Sequence, residues 1–140
     1  MDFVTFDGSG NLFIDGFAYK RGSHFRLDEL PQGAPQLINV AWTGPKIRYA
    51  GGVQYQGTTL AVGDARKPVI YQTSNGTVTG TTSLKHGCAV GQFFIDGGQL
   101  IAPSYCGSKS GVLIYNYPAG GAPRKMLTGF TFAFGAAVSR

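Results

Sequence analysis

The chain has 140 residues, enough for one domain with a real core, and 43% of them are apolar. Charged residues are only 14%, below the usual ~25%, and the net charge is +5. No run of four Lys or Arg occurs, which argues against a nucleic-acid footprint and leaves at most an anionic ligand. No apolar stretch reaches bilayer length, and the opening Met1-Asp2-Phe3 lacks the basic and apolar regions of a signal peptide.

Twenty-two glycines and seven prolines are spread between apolar runs rather than clustered, as turns between strands require. In chain order the predicted strands are Phe3–Phe6, Leu12–Phe17, His24–Leu27 and Leu37–Trp42. Gly52–Tyr55, Thr59–Gly63, Val69–Gln72 and Thr77–Leu84 follow. Ala89–Ile95, Gln99–Ser104, Val112–Tyr117 and Lys125–Thr128 complete the set. Gly57-Thr58 and Asn75-Gly76 are hairpin-turn signals. Asn75-Gly76-Thr77 also matches a glycosylation acceptor, although its hairpin role explains it without sugar.

The strands group in fours. Aligning Leu12, Leu60 and Leu100 gives periods of 48 and 40 residues, and the third-strand apolar centres Phe25, Ile70 and Leu113 follow at 13, 10 and 13. All-β repeats of this length are usually propeller blades. The expected organisation is therefore all-β, with repeats over 3–50, 51–87 and 88–129 and a partial fourth-blade strand within 130–140. The alternative is a β-sandwich. Three blades are too few to close a ring of roughly four to eight. The expected partners are therefore a second copy or the remainder of a longer propeller, with a six-bladed dimer as the simplest closure.

Asp7-Gly8-Ser9-Gly10-Asn11-Leu12-Phe13-Ile14-Asp15 resembles the start of an NHL-type or regucalcin-like propeller blade. Tyr115-Asn116-Tyr117-Pro118-Ala119-Gly120-Gly121-Ala122-Pro123-Arg124-Lys125, with Gly135-Ala136-Ala137-Val138-Ser139, is similar to blades of bacterial extracytoplasmic propeller proteins. The resemblance implies a six-bladed scaffold and an exported protein. It also implies channel-facing ligands for Ca²⁺ or a similar divalent ion, for which Asp15 and Asp64 at the ends of second strands are the candidates. The third repeat has Pro103 and Ser104 there, a departure from the family's ligand set.

Cys88 and Cys106 are the sharpest local signal. A three-residue loop Asp96-Gly97-Gly98 sets Ile95 opposite Gln99, and the same register sets Cys88 opposite Cys106, within reach of a disulfide. Such a bridge is worth about 3 kcal/mol in the loop-entropy model and indicates an oxidising compartment; two packed thiols are the other reading. His24 and His86 have no ligand-spaced partner. Lys20, Arg21, Arg66, Lys67 and Lys109 fall in the links between second and third strands, so one face is expected to be basic. Phe130, Phe132, Phe134 and Val138 form the expected assembly edge. The function these features support is a non-catalytic binding or assembly module that self-associates through open edges. The competing enzyme reading is a metal-dependent lactonase- or esterase-like hydrolase at the channel mouth.

Overall fold

The computed structural model describes residues 3–18, 24–105 and 110–138. Twelve strands form three four-stranded antiparallel sheets, each a meander of consecutive strands. Sheet 1 contains β1 (Phe3–Phe6), β2 (Leu12–Ala18), β3 (His24–Leu30) and β4 (Ile38–Val40). Sheet 2 contains β5 (Ala50–Gln56), β6 (Thr59–Asp64), β7 (Val69–Ser74) and β8 (Thr77–Ser83). Sheet 3 contains β9 (Phe94–Asp96), β10 (Gln99–Ser104), β11 (Gly111–Asn116) and β12 (Gly120–Leu127).

Turn chemistry sets the registers. Gly57-Thr58 and Asn75-Gly76 each close a two-residue hairpin, with Gln56 opposite Thr59 and Ser74 opposite Thr77. Asn75 and Gly76 both take positive φ, 48° and 78°, as a twist-matched hairpin turn requires. Gly76 is fixed twice over, because a Cβ there would stand 2.2 Å from the Ala41 carbonyl oxygen. Thr43 then clasps the same hairpin, its N–H donating to Gly76 O and its carbonyl accepting from Val78 N. The first hairpin is wider. Asp7 closes it by accepting from Ser9 N, Asn11 N and Asn11 Nδ2 at 2.8–2.9 Å.

Directly opposed residues in an antiparallel ladder share a face, so the registers sort each strand into two sets. One core joins sheets 1 and 2 through Leu27, Val53, Leu60, Val62, Val69 and Tyr71, with Phe3, Phe13, Phe25 and Trp42 packed against it. The other joins sheets 2 and 3 through Ala61, Ile70, Leu84, Ile95, Leu100 and Tyr115. Sheet 2 is therefore covered on both faces, and β6 and β7 read as near-continuous buried runs. Sheets 1 and 3 are each covered on one. We call the face turned toward the preceding sheet leading and the opposite face trailing.

The leucine alignment survives this sorting. Leu12, Leu60 and Leu100 pair with Phe6, Tyr55 and Ile95 respectively, at the same place in each first hairpin. The third-strand centres do not survive. Phe25 pairs with Phe17, Ile70 with Gly63 and Leu113 with Ala102, three different distances along the second strand. Equal sequence spacing ignored the unequal loops between second and third strands. The tail also differs from expectation. Residues 128–138 run without a ladder partner, so the described part of the expected fourth-blade strand forms no strand. A strand needs a neighbour for its backbone groups, and no described strand offers this segment one.

Candidate functional site

The registers place the expected site residues in quite different settings. Asp15 lies within β2 rather than after it, is 1% exposed, and accepts from Phe3 N at 3.2 Å. Asp64 is the last residue of β6 and is fully buried. Its Oδ1 accepts from Arg66 N at 2.9 Å, and its Oδ2 lies 3.9 Å from Lys67 Nζ. Each carboxylate thus accepts a backbone N–H through Oδ1, while its buried Oδ2 accepts no hydrogen bond among the described residues. Among the described residues no group of three His, Cys, Asp or Glu side chains is arranged to hold a metal ion.

Of the expected basic face, Arg66 and Lys67 are described, whereas Lys20, Arg21 and Lys109 lie outside the described residues. Arg66 places its guanidinium 4.2 Å from the ring centroid of Tyr49, and Lys67 leans on Asp64. These two cations hold the β6–β7 turn.

The third hairpin corrects the register proposed for the cysteines. Gly97, with φ of 56°, lets two residues reverse the chain, so Asp96 faces Gln99 and Ile95 faces Leu100. The ladder moves by one and ends at Phe94, leaving Cys88 in irregular chain ahead of β9. Cys88 is nonetheless disulfide-bonded, with its N–H donating to Ser104 Oγ at 3.4 Å. The expected partner Cys106 lies outside the described residues.

The expected assembly edge is exposed. Phe130, Phe132 and Phe134 stand 47%, 53% and 74% open. Phe132 sits between Tyr105 and Phe134 in a short aromatic stack at 4.8 and 5.9 Å. Val138 is half-buried.

Two features of the structure were not revealed by the residue types alone. The first is the bare leading face of sheet 1. Val4, Val53 and Phe93 each lie two residues before the hairpin position held by Phe6, Tyr55 and Ile95. Val53 and Phe93 are 8% and 6% exposed, and Val4 is 58%; Ile95 is 1% exposed, and Phe6 is 65%. These two first-strand positions are covered where a preceding sheet exists and open where none does, while Ile14, opposed to Val4 on the same face, is buried at 8% exposure. The trailing face of sheet 3 is the counterpart: Phe94, Ile101 and Ile114, opposed across its ladder, are half-buried, and Leu127 opposite Val112 is 39% exposed. Adjacent sheets are also stitched at their first strands. Thr5 Oγ1 accepts from Tyr55 N at 3.2 Å. One sheet on, the Gln54 amide accepts from Ile95 N and donates to Ile95 O, at 2.7 and 2.8 Å.

The second feature is a cavity of about 330 Å³ between sheets 1 and 2, at the end of the hairpin turns. Phe13, Tyr55, Leu27 and Leu60 supply apolar wall, and Glu29, Thr73 and Asn75 supply polar groups. Phe13 and Tyr55 stack at 5.2 Å. Thr73 is 1% exposed, and its hydroxyl has no hydrogen-bond partner among the described residues.

Burial shapes the neighbouring tyrosines. Loss of solvent pushes the Tyr115 hydroxyl up to about 12 while it donates to Lys85 O at 3.1 Å. Burial raises Tyr117 as well, partly offset by a hydrogen bond with Gln72. Tyr71 is raised by burial and then by the Asp64 carboxylate.

No family model and no curated protein matches the chain in sequence.

Proposed function

We propose that this chain is a non-catalytic β-propeller segment that assembles with a second copy of itself, the bare leading face of sheet 1 meeting the bare trailing face of sheet 3. The carrying observation is the contrast at equivalent hairpin positions: Val53, Phe93 and Ile95 are buried, and Val4 and Phe6 lie open. Chance surface apolars need no explanation singly. Here they fall at the two repeat positions that elsewhere pack against a preceding sheet.

Several arrangements support blades about an axis over a sandwich. First strands contact first strands of neighbouring sheets, β1 with β5 and β5 with β9, and β8 contacts β12. Parallel bridges join Thr43 to Thr77 and Leu84 to Gly121, all at or beyond fourth strands. This is the order of inner strands near an axis and outer strands at a rim. A leading face meeting a trailing face is a head-to-tail contact, which closes a ring only if the rotation allows; two copies of three blades give six. The tail Phe130–Phe134, passing beside Tyr105, is placed to cover the seam. The reading also assigns the protein to an oxidising, extracytoplasmic compartment, supported by the disulfide at Cys88.

Sedimentation equilibrium tests it. The account expects a particle of twice the 14.8 kDa chain mass, reduced to monomer by Phe6→Asp and weakened by deleting residues 130–140. A monomer at millimolar concentration contradicts it.

A further inference from the structure

The two clefts of the molecule are built from equivalent positions, yet only one is filled. Register places Glu29 opposite Phe13 on the trailing face of sheet 1, and Gln72 opposite Ala61 on the trailing face of sheet 2. It places Thr73 opposite Leu60 and Tyr115 opposite Leu100, on leading faces. Two residues further on stand Asn75 and Tyr117.

Between sheets 2 and 3 these positions are satisfied. Gln72 Nε2 donates to Thr82 Oγ1 at 2.7 Å, and Thr82 Oγ1 donates to Pro118 O at 2.7 Å. Tyr115 and Tyr117 fill the remaining volume. Between sheets 1 and 2 the amide is replaced by the Glu29 carboxylate and the two tyrosines by Thr73 and Asn75. Neither Glu29 nor Thr73 makes a side-chain hydrogen bond or ion pair with a described residue. The cavity of about 330 Å³ lies where the tyrosines would be, and the stacked Phe13 and Tyr55 rings form part of its wall. Buried polar groups are normally paired, so the orphaned Thr73 hydroxyl lining the cavity points to a ligand, and the half-buried Glu29 carboxylate lining the same cavity sets the charge that ligand meets.

We propose that this cleft binds a small organic cation, an ammonium group on an apolar body. Among the described residues Glu29 is the only charged side chain lining the cavity, and no described Lys, Arg or His lines it to neutralise that charge. A cationic head pairs with the carboxylate, the Thr73 hydroxyl accepts from an N–H of that head, and aromatic rings favour both the cation and the apolar body. Anions are repelled by Glu29, and an uncharged polyol leaves the carboxylate unpaired. The cleft opens on the face of sheet 1 opposite to Val4 and Phe6, so the site stands whether or not the chain self-associates.

The test is an NMR-detected titration of the intact chain with phenethylamine, protonated at neutral pH, against its neutral isostere 2-phenylethanol and the anion phenylacetate. Saturable shifts at Phe13, Glu29, Tyr55 and Thr73 are expected for the amine, with the alcohol at least about tenfold weaker and the anion unbound. Glu29→Gln, which installs the residue sheet 2 already uses at that register, should weaken the amine on the order of 10- to 100-fold and leave the alcohol unchanged. Thr73→Tyr should fill the cleft and abolish both. Non-saturating shifts, equal affinity for amine and alcohol, or an amine affinity indifferent to Glu29→Gln would each overturn the proposal. Because Glu29→Gln alters charge at constant shape, it remains decisive if Thr73→Tyr fails to fold.

Discussion

The middle sheet and the first sheet are built from the same pattern and meet different fates. β5 and β6 present Val53, Leu60 and Val62 to a neighbour and bury them to 8%, 4% and 0% exposure. β1 presents Val4 and Phe6 from matching positions to solvent. At the hairpin end of the strands, what separates core from surface is the presence of a preceding sheet, whereas Ile14, opposed to Val4 on the same face of sheet 1, is buried to 8% exposure within that sheet. An apolar face of this kind costs little as long as something covers it, and is an association hazard otherwise.

Substitutions sharpen that contrast. The largest effect is expected at the bare face: Phe6→Asp should abolish self-association by placing a charge in the contact, while the melting temperature of the monomer moves little. A loss of monomer folding would mean that Phe6 is part of the chain's own core. Next, Leu100→Ala should cost about 2–5 kcal/mol by chemical denaturation, and Leu12→Ala at the aligned but half-buried position should cost clearly less under conditions that keep the chain monomeric. Equal costs would break the equivalence of leading faces.

A smaller effect belongs to pH. The Tyr115 hydroxyl is raised in the folded chain relative to its unfolded value near 10. Its contribution is fully present below pH 10 and is lost as pH rises toward about 12. Alkaline unfolding followed by circular dichroism should therefore steepen across that window, and Tyr115→Phe should flatten it. The smallest is Thr73→Val, which removes an orphaned hydroxyl at nearly constant volume and should raise stability by about 1 kcal/mol.

Much of this architecture was legible in the sequence, and the reason is local. Glycine turns and period-two alternation are short-range signals, so all twelve strands were visible, and Gln99–Ser104 and Phe3–Phe6 matched to the residue. Registers were less legible. Asp96-Gly97-Gly98 is compatible with a two- or a three-residue reversal, and the choice moves every opposed pair by one. The site was the least legible part. Nothing about Glu29 or Thr73 is unusual as sequence; their interest arises only when register shows Gln72 and Tyr115 at the corresponding places one sheet on. Asp15 and Asp64, chosen for residue type and strand end, are both buried and each accepts a backbone N–H, from Phe3 and Arg66.

Self-association as proposed puts the open face of sheet 1 against the trailing face of sheet 3 from another copy. Isotope-filtered NOE spectroscopy on a mixture of labelled and unlabelled chains addresses it directly. The account predicts intermolecular contacts from Val4 and Phe6 to Ile101, Ile114 and Leu127. A concentrated sample with no such contacts, and with the Phe6 ring still open to solvent, would contradict it.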